Sequence, residues 1–152
     1  MGTVYSDQKT KWDQNDPSEM IKPIEQGGRV RIAYGSYTAS AEQSDIHMFN
    51  LPNGARILSG QLVHVPHGTS TTVYVGHAES NNAAGTTVAA DVDEYKAAAA
   101  STSITTVGAC LTAALGLNSV VDADQDGIPI TVSLAGANGT GLIELTMTYA
   151  LD

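Results

Sequence analysis

Gly27-Gly-Arg-Val-Arg-Ile-Ala-Tyr-Gly-Ser-Tyr37, Asp45-Ile-His-Met-Phe-Asn-Leu-Pro-Asn-Gly-Ala-Arg-Ile-Leu58 and Leu62-Val-His-Val65 are the stretches that decide the fold. Each is a run of β-branched, aromatic and aliphatic residues closed by Gly, Pro, Asn or Ser, the punctuation that separates strands from turns. They read as three strands joined by turns, and none carries a group placed to do chemistry.

The same reading extends to the C-terminus. Val30, Ile32 and Tyr34 alternate with Arg31 and Ala33; Ile128, Ile130, Val132 and Leu134 alternate with Pro129, Thr131 and Ser133. Ile143, Leu145, Met147, Tyr149 and Leu151 alternate with Glu144, Thr146, Thr148 and Ala150, the clearest half-buried strand in the chain. Thr71–Gly76 is a further strand, with weaker ones near Ile104–Val107, Ala109–Ala114 and Ser119–Val121. One short helix is expected over Val92–Ala100, with Asp91 as its cap and the alanines favouring the helical state. Pro129 suggests an edge strand, and the glycine-rich Gly136–Gly141 a hairpin loop. The expectation is an all-β fold: a jelly-roll-like antiparallel β-sandwich over residues 27–152, with one short helix and an extended N-terminal arm over residues 1–26.

At 152 residues the chain has the length of one domain, enough to bury roughly 68–70% of its unfolded surface without staples. The lone cysteine, Cys110, lies in an apolar run and reads as a small buried hydrophobe. Apolar runs fall far short of the ~20 residues that span a bilayer, and residues 1–7 lack the look of a signal peptide, so a soluble chain without a membrane partner is expected. Seven Lys and Arg against sixteen Asp and Glu give a charge of -9, which repels phosphate backbones and argues against nucleic acid as a partner. No basic residue follows Lys96, whereas five acids do: Asp122, Asp124, Asp126, Glu144 and Asp152. The bases, all at or before Lys96, and the acidic C-terminal part can attract across a subunit boundary.

The arm carries eight charges and two prolines, with no period of two or 3.6. Extended, its 26 residues reach about 85 Å at ~3.3 Å each, several times the ~14 Å radius of gyration of a domain the size of the remainder. Tyr5, Trp12, Met20 and Ile21 are spaced as separate anchors for a neighbour's surface, though Trp12 can equally plug its own domain.

Asp122-Ala-Asp124-Gln-Asp126-Gly127 matches the first half of a calcium loop, with three carboxylates at alternate positions and Gly at the sixth. The twelfth position is Ser133 rather than the bidentate Glu, so Ca2+ at Asp122, Asp124 and Asp126 competes with a solvated acidic turn. The four histidines His47, His64, His67 and His77 read as satisfied or exposed, and Pro66–Ser70 as the turn of a hairpin that holds His64 and His77 at opposite ends. No nucleophile elbow, phosphate-cradling loop or dinucleotide fingerprint is present.

The order of parts, with Gly-Gly-Arg-Val-Arg at a strand start, a short Met-Phe-Asn-Leu-Pro strand and Gly-Ala-Arg-Ile-Leu opening the next, resembles small head structural proteins of tailed bacteriophages, the decoration or cement type. The likeness is close from Gly27 to about Gly76, looser to the C-terminus and absent from residues 1–26. The resemblance implies a jelly-roll-like protein on the outer capsid surface of the virion, made in the host bacterial cytoplasm. It implies a homotrimer that binds the major capsid protein and clamps adjacent capsomers, with no enzymatic activity. Arg29 and Arg31 become candidates for pairing with acidic neighbours. A carbohydrate-binding or host-adhesion module is the alternative, for which Tyr34, Tyr37 and Tyr74 would supply a small aromatic platform.

Overall fold

The computed structural model describes residues 28–39, 45–67, 70–101, 105–107, 116–136 and 140–151. The arm, with Tyr5, Trp12, Met20 and Ile21, lies outside the described residues, as do Cys110 and the strand expected near Ala109–Ala114.

Among the described residues ten strands follow in order: β1 Arg29–Ala39, β2 Asp45–Leu51, β3 Arg56–His64, β4 Thr71–His77, β5 Ser80–Asn81, β6 Thr87–Val88, β7 Asp91–Ala100, β8 Thr105–Val107, β9 Ile128–Gly136 and β10 Gly141–Leu151. One four-stranded sheet has the order β1-β10-β3-β8, the other β2-β9-β4-β7, and β5 and β6 form a small ribbon. Every pairing is antiparallel. The two sheets share one core, supplied by Ile57, Leu62, Ile143, Leu145 and Met147 from the first and by Leu51, Val73, Val75, Ile130 and Val132 from the second. The alternation along β10 is read out directly: Ile143, Leu145 and Met147 are fully buried and Glu144, Thr146 and Thr148 half-buried.

Four expectations are corrected. Val92–Ala100 is not a helix but most of β7, and no helix occurs among the described residues. A nine-residue helix is marginal unless packed, and alanine's advantage is under about 1 kcal/mol per residue. The ladder to β4 and the burial of Tyr95 outweigh it. Second, β9 lies between β2 and β4 rather than at an edge. Pro129 is tolerated as the second residue of that strand, where its carbonyl accepts from the Ala78 N–H. Third, neither the β3–β4 nor the β9–β10 connection is a hairpin, because each passes from one sheet to the other.

The fourth correction concerns β1. Its apolar set Val30, Ile32 and Tyr34 points outward, and Ala33, Gly35, Tyr37 and Ala39 face the core. The ladder to β10 sets this choice: Ala33 lies opposite Met147, Gly35 opposite Leu145 and Tyr37 opposite Ile143, all three partners being inward residues. A one-residue slip would exchange the faces of the whole strand.

Candidate functional site: the outward face of β1

Among the described residues strand β1 is at the edge of its sheet, hydrogen-bonded to β10 alone. Val30, Ile32 and Tyr34 stand on its outward face at 64%, 69% and 57% exposure, with Leu142 of β10 exposed at the other end of the same sheet. Isolated apolar residues on a surface are ordinary, but three in register on an edge strand make a stripe, beside a ladder edge that no described residue occupies. The Tyr34 hydroxyl donates to Oε1 of Glu144 at 2.5 Å, tying β1 to β10 diagonally across this face. That bond to a carboxylate, which the neutral phenol alone can make, raises the Tyr34 pKa above its ordinary value. Arg29 and Arg31 sit at the exposed start of the strand, opposite Leu151 and Tyr149, and form no ion pair among the described residues.

The three tyrosines do not share a face. Tyr34 points out of the first sheet, Tyr37 inward from the same strand, and Tyr74 lies on β4 of the second sheet, out of step with the buried Val73 and Val75.

Around Asp122–Asp126 the carboxylates act as turn caps. Asp122 Oδ1 accepts from the Ala83 N–H at 3.0 Å, and Asp124 Oδ1 from the Asp126 N–H at 2.9 Å. Asn50 Nδ2 donates to the Asp126 carbonyl, and the Gly127 N–H to that of Asp124. A shallow hollow of about 420 Å³, lined by Asn53, Ala83, Ala123, Asp124 and Gln125, adjoins the loop. Among the described residues no three His, Cys, Asp or Glu side chains gather into a set able to hold a metal ion.

Three histidines are buried, and only the tertiary structure shows with what. His77 of β4 meets Glu94 of β7, Nε2 to Oε2 at 3.0 Å, and its Nδ1 lies 2.9 Å from the Ala78 carbonyl. The bond to Glu94 raises the His77 pKa against the opposing effect of burial, helped by Ala78 and by the charge of Asp91. His64 and His67 stack with ring centroids 5.4 Å apart. Their separation by two residues was visible in the sequence, but nothing local showed that the two rings stack.

No family model matches the chain, and no curated protein matches it. A chain in the solved structure "Cyanophage Pam1 capsid asymmetric unit" is similar to it, with 22% identity and a TM-score of 0.57 over 84% of this chain and 88% of that one. The likeness extends across nearly the whole of both chains and shows a shared fold.

Proposed function

We propose that this chain is a structural protein of a phage head: a jelly-roll-like decoration or cement protein that binds the major capsid protein on the outer surface as a homotrimer and clamps adjacent capsomers. Two lines support the capsid setting. The sequence from Gly27 to about Gly76 resembles small head proteins of this kind, and the similar solved fold comes from a phage capsid asymmetric unit. The jelly-roll reading draws on strand order, since successive strands β1 to β4 alternate between the sheets and β9 and β10 fill the gaps between them.

The observation that carries the binding role is the outward stripe of Val30, Ile32 and Tyr34 on an edge strand. Covering each Val or Ile side chain is worth about 1.5–3 kcal/mol, so one stripe per protomer gives a modest contact. A closed ring multiplies it through effective concentration. Residues 1–26 would add contacts through Tyr5, Trp12, Met20 and Ile21, and Arg29 and Arg31 would meet acidic groups on the neighbour.

The test is co-sedimentation of the purified full chain with empty heads that lack it. A Val30→Asp, Ile32→Asp double variant that melts like the wild type should bind at least about tenfold more weakly, whereas Gln125→Lys, on the acidic loop, should bind normally. Undiminished binding by the double variant would remove this surface from the contact.

A further inference from the structure

The His64–His67 pair sits where the chain leaves one sheet for the other. His64 ends β3 in the first sheet, His67 lies in the crossing, and Thr71 opens β4 in the second. Ser101 follows β7 of the second sheet, and Thr140 precedes β10 of the first. Hydrogen bonds join all five. The Ser101 hydroxyl oxygen lies 3.2 Å from both the His67 backbone nitrogen and His64 Nδ1. The His67 N–H also donates to the Ser101 carbonyl at 3.1 Å, and the Ser101 N–H to the Thr71 carbonyl at 2.9 Å. The Thr71 hydroxyl donates to the His67 carbonyl at 3.2 Å.

The rings are fixed in one tautomer by their surroundings. His64 Nδ1 lies 2.9 Å from the Val65 carbonyl oxygen, and His67 Nδ1 lies 3.2 Å from that of Thr140. A carbonyl only accepts, so each ring carries a hydrogen on Nδ1 and, in its neutral form, presents a bare lone pair at Nε2. A second proton can enter only at Nε2. In His67 that atom is buried without a partner among the described residues, in a residue 6% exposed, with the His64 ring stacked against it. An imidazolium there would be a buried cation with no acceptor for its new hydrogen.

We propose that this pair is an acid-sensitive latch: with both rings neutral it closes the end of the sandwich where the two sheets are joined, and proton uptake opens that end. Burial holds the His67 pKa below its ordinary value, a proton on His64 would add to this, and the Thr140 carbonyl opposes it. The sign follows. A base whose pKa is lowered by folding leaves stability intact above the unfolded value of about 6.5 and erodes it as the pH falls through the folded value.

The groups facing the pair are His64 and His67 themselves, the hydroxyls of Ser101 and Thr71 and the carbonyls of Val65 and Thr140. Among the described residues no carboxylate joins them to form a cluster that would hold the extra proton. His77, at the opposite end of β4 from Thr71, has the Glu94 partner that this pair lacks.

The experiment is amide hydrogen exchange on the full chain at about pH 7.5 and about pH 5.5, corrected for intrinsic chemistry. A one-dimensional proton titration of the histidine ring signals accompanies it. Wild-type protection at the Val65, His67 and Ser101 amides should fall at the lower pH, toward a ceiling of about tenfold set by one histidine, and the His67 ring should titrate below the ordinary histidine value. In His67→Asn, whose amide can still donate to the Thr140 carbonyl, protection at Val65 and Ser101 should be independent of pH. Unchanged wild-type protection, a His67 titration at or above the ordinary value, or the same acid loss in His67→Asn would each overturn the proposal. Should His67→Asn fail to fold, the first two readouts on the wild type decide it.

Discussion

Gly35 of β1 lies so close to Met48 of β2 that a Cβ built on it would stand 2.8 Å from the Met48 carbonyl oxygen and 3.0 Å from Met48 Cβ. Here the two sheets approach backbone to backbone, and a side chain on Gly35 has nowhere to go but into the main chain of the other sheet. Gly35→Ala should therefore destabilise the fold by about 1–3 kcal/mol, the usual range for overpacking, seen as a lower denaturant midpoint. Gly76→Ala should cost more, because its Cβ would overlap the Asp91 carbonyl and the Val92 backbone where β7 pairs with β4 across a shift of register.

Ile32 and Leu145 belong to neighbouring strands and differ completely in burial, 69% exposed against 0%. Leu145→Ala should cost about 2–5 kcal/mol through lost contacts and a cavity. Ile32→Ala should shift stability by less than about 0.5 kcal/mol. If Ile32→Ala were as costly as Leu145→Ala in the isolated protein, β1 would face the other way.

The His77–Glu94 pair titrates in the opposite sense to His67. Folding raises the His77 pKa, first through Glu94, so the contribution of the pair is complete below the ordinary histidine value and is lost as the pH rises through the folded value. Glu94→Gln should lower the melting temperature at about pH 6 and have little effect at about pH 9. A hydrogen bond between charged groups is worth about 1.5–3 kcal/mol, and the water reaching Glu94 places this one toward the lower end. A melting difference independent of pH would show that His77 is not a cation when folded.

Tyr34 should ionise at higher pH than an unpaired phenol, because its hydrogen is held by the Glu144 carboxylate. Glu144→Gln should bring the transition down, measured as the Tyr34 contribution to the ultraviolet titration by difference from Tyr34→Phe. No change on substitution would mean the bond does not form in solution.

Asp122 couples the acidic loop to the turn after β5 through the Ala83 N–H. Asp122→Ala should cost about 0.5–1.5 kcal/mol, and the same amount with calcium present as with it removed by a chelator. A loss seen only in the presence of calcium would assign the carboxylate to a metal instead of to the turn.

The positions of the long strands other than β7 were legible in the residues themselves. Ile143–Leu151 and Ile128–Leu134 alternate without interruption, and Pro52-Asn53-Gly54 breaks the chain where β2 ends. Alternation and turn chemistry are local properties, so they survive translation into structure. A period of two says that the faces of a strand differ, yet it does not say which face is inside. On β1 the more apolar face turned outward because the ladder to β10 and the tight passage of Gly35 over Met48 left room only for small residues and Tyr37 within. For the same reason the alanines of β7 were misleading, since what holds that strand is β4, far away in sequence. The His64–His67 stack and its bonds to Ser101 and Thr140 likewise exist only because four strand ends meet where the sheets exchange chain. Local residue pattern located most strands and turns; the packing of distant segments decided what faces what and made a strand of Val92–Ala100.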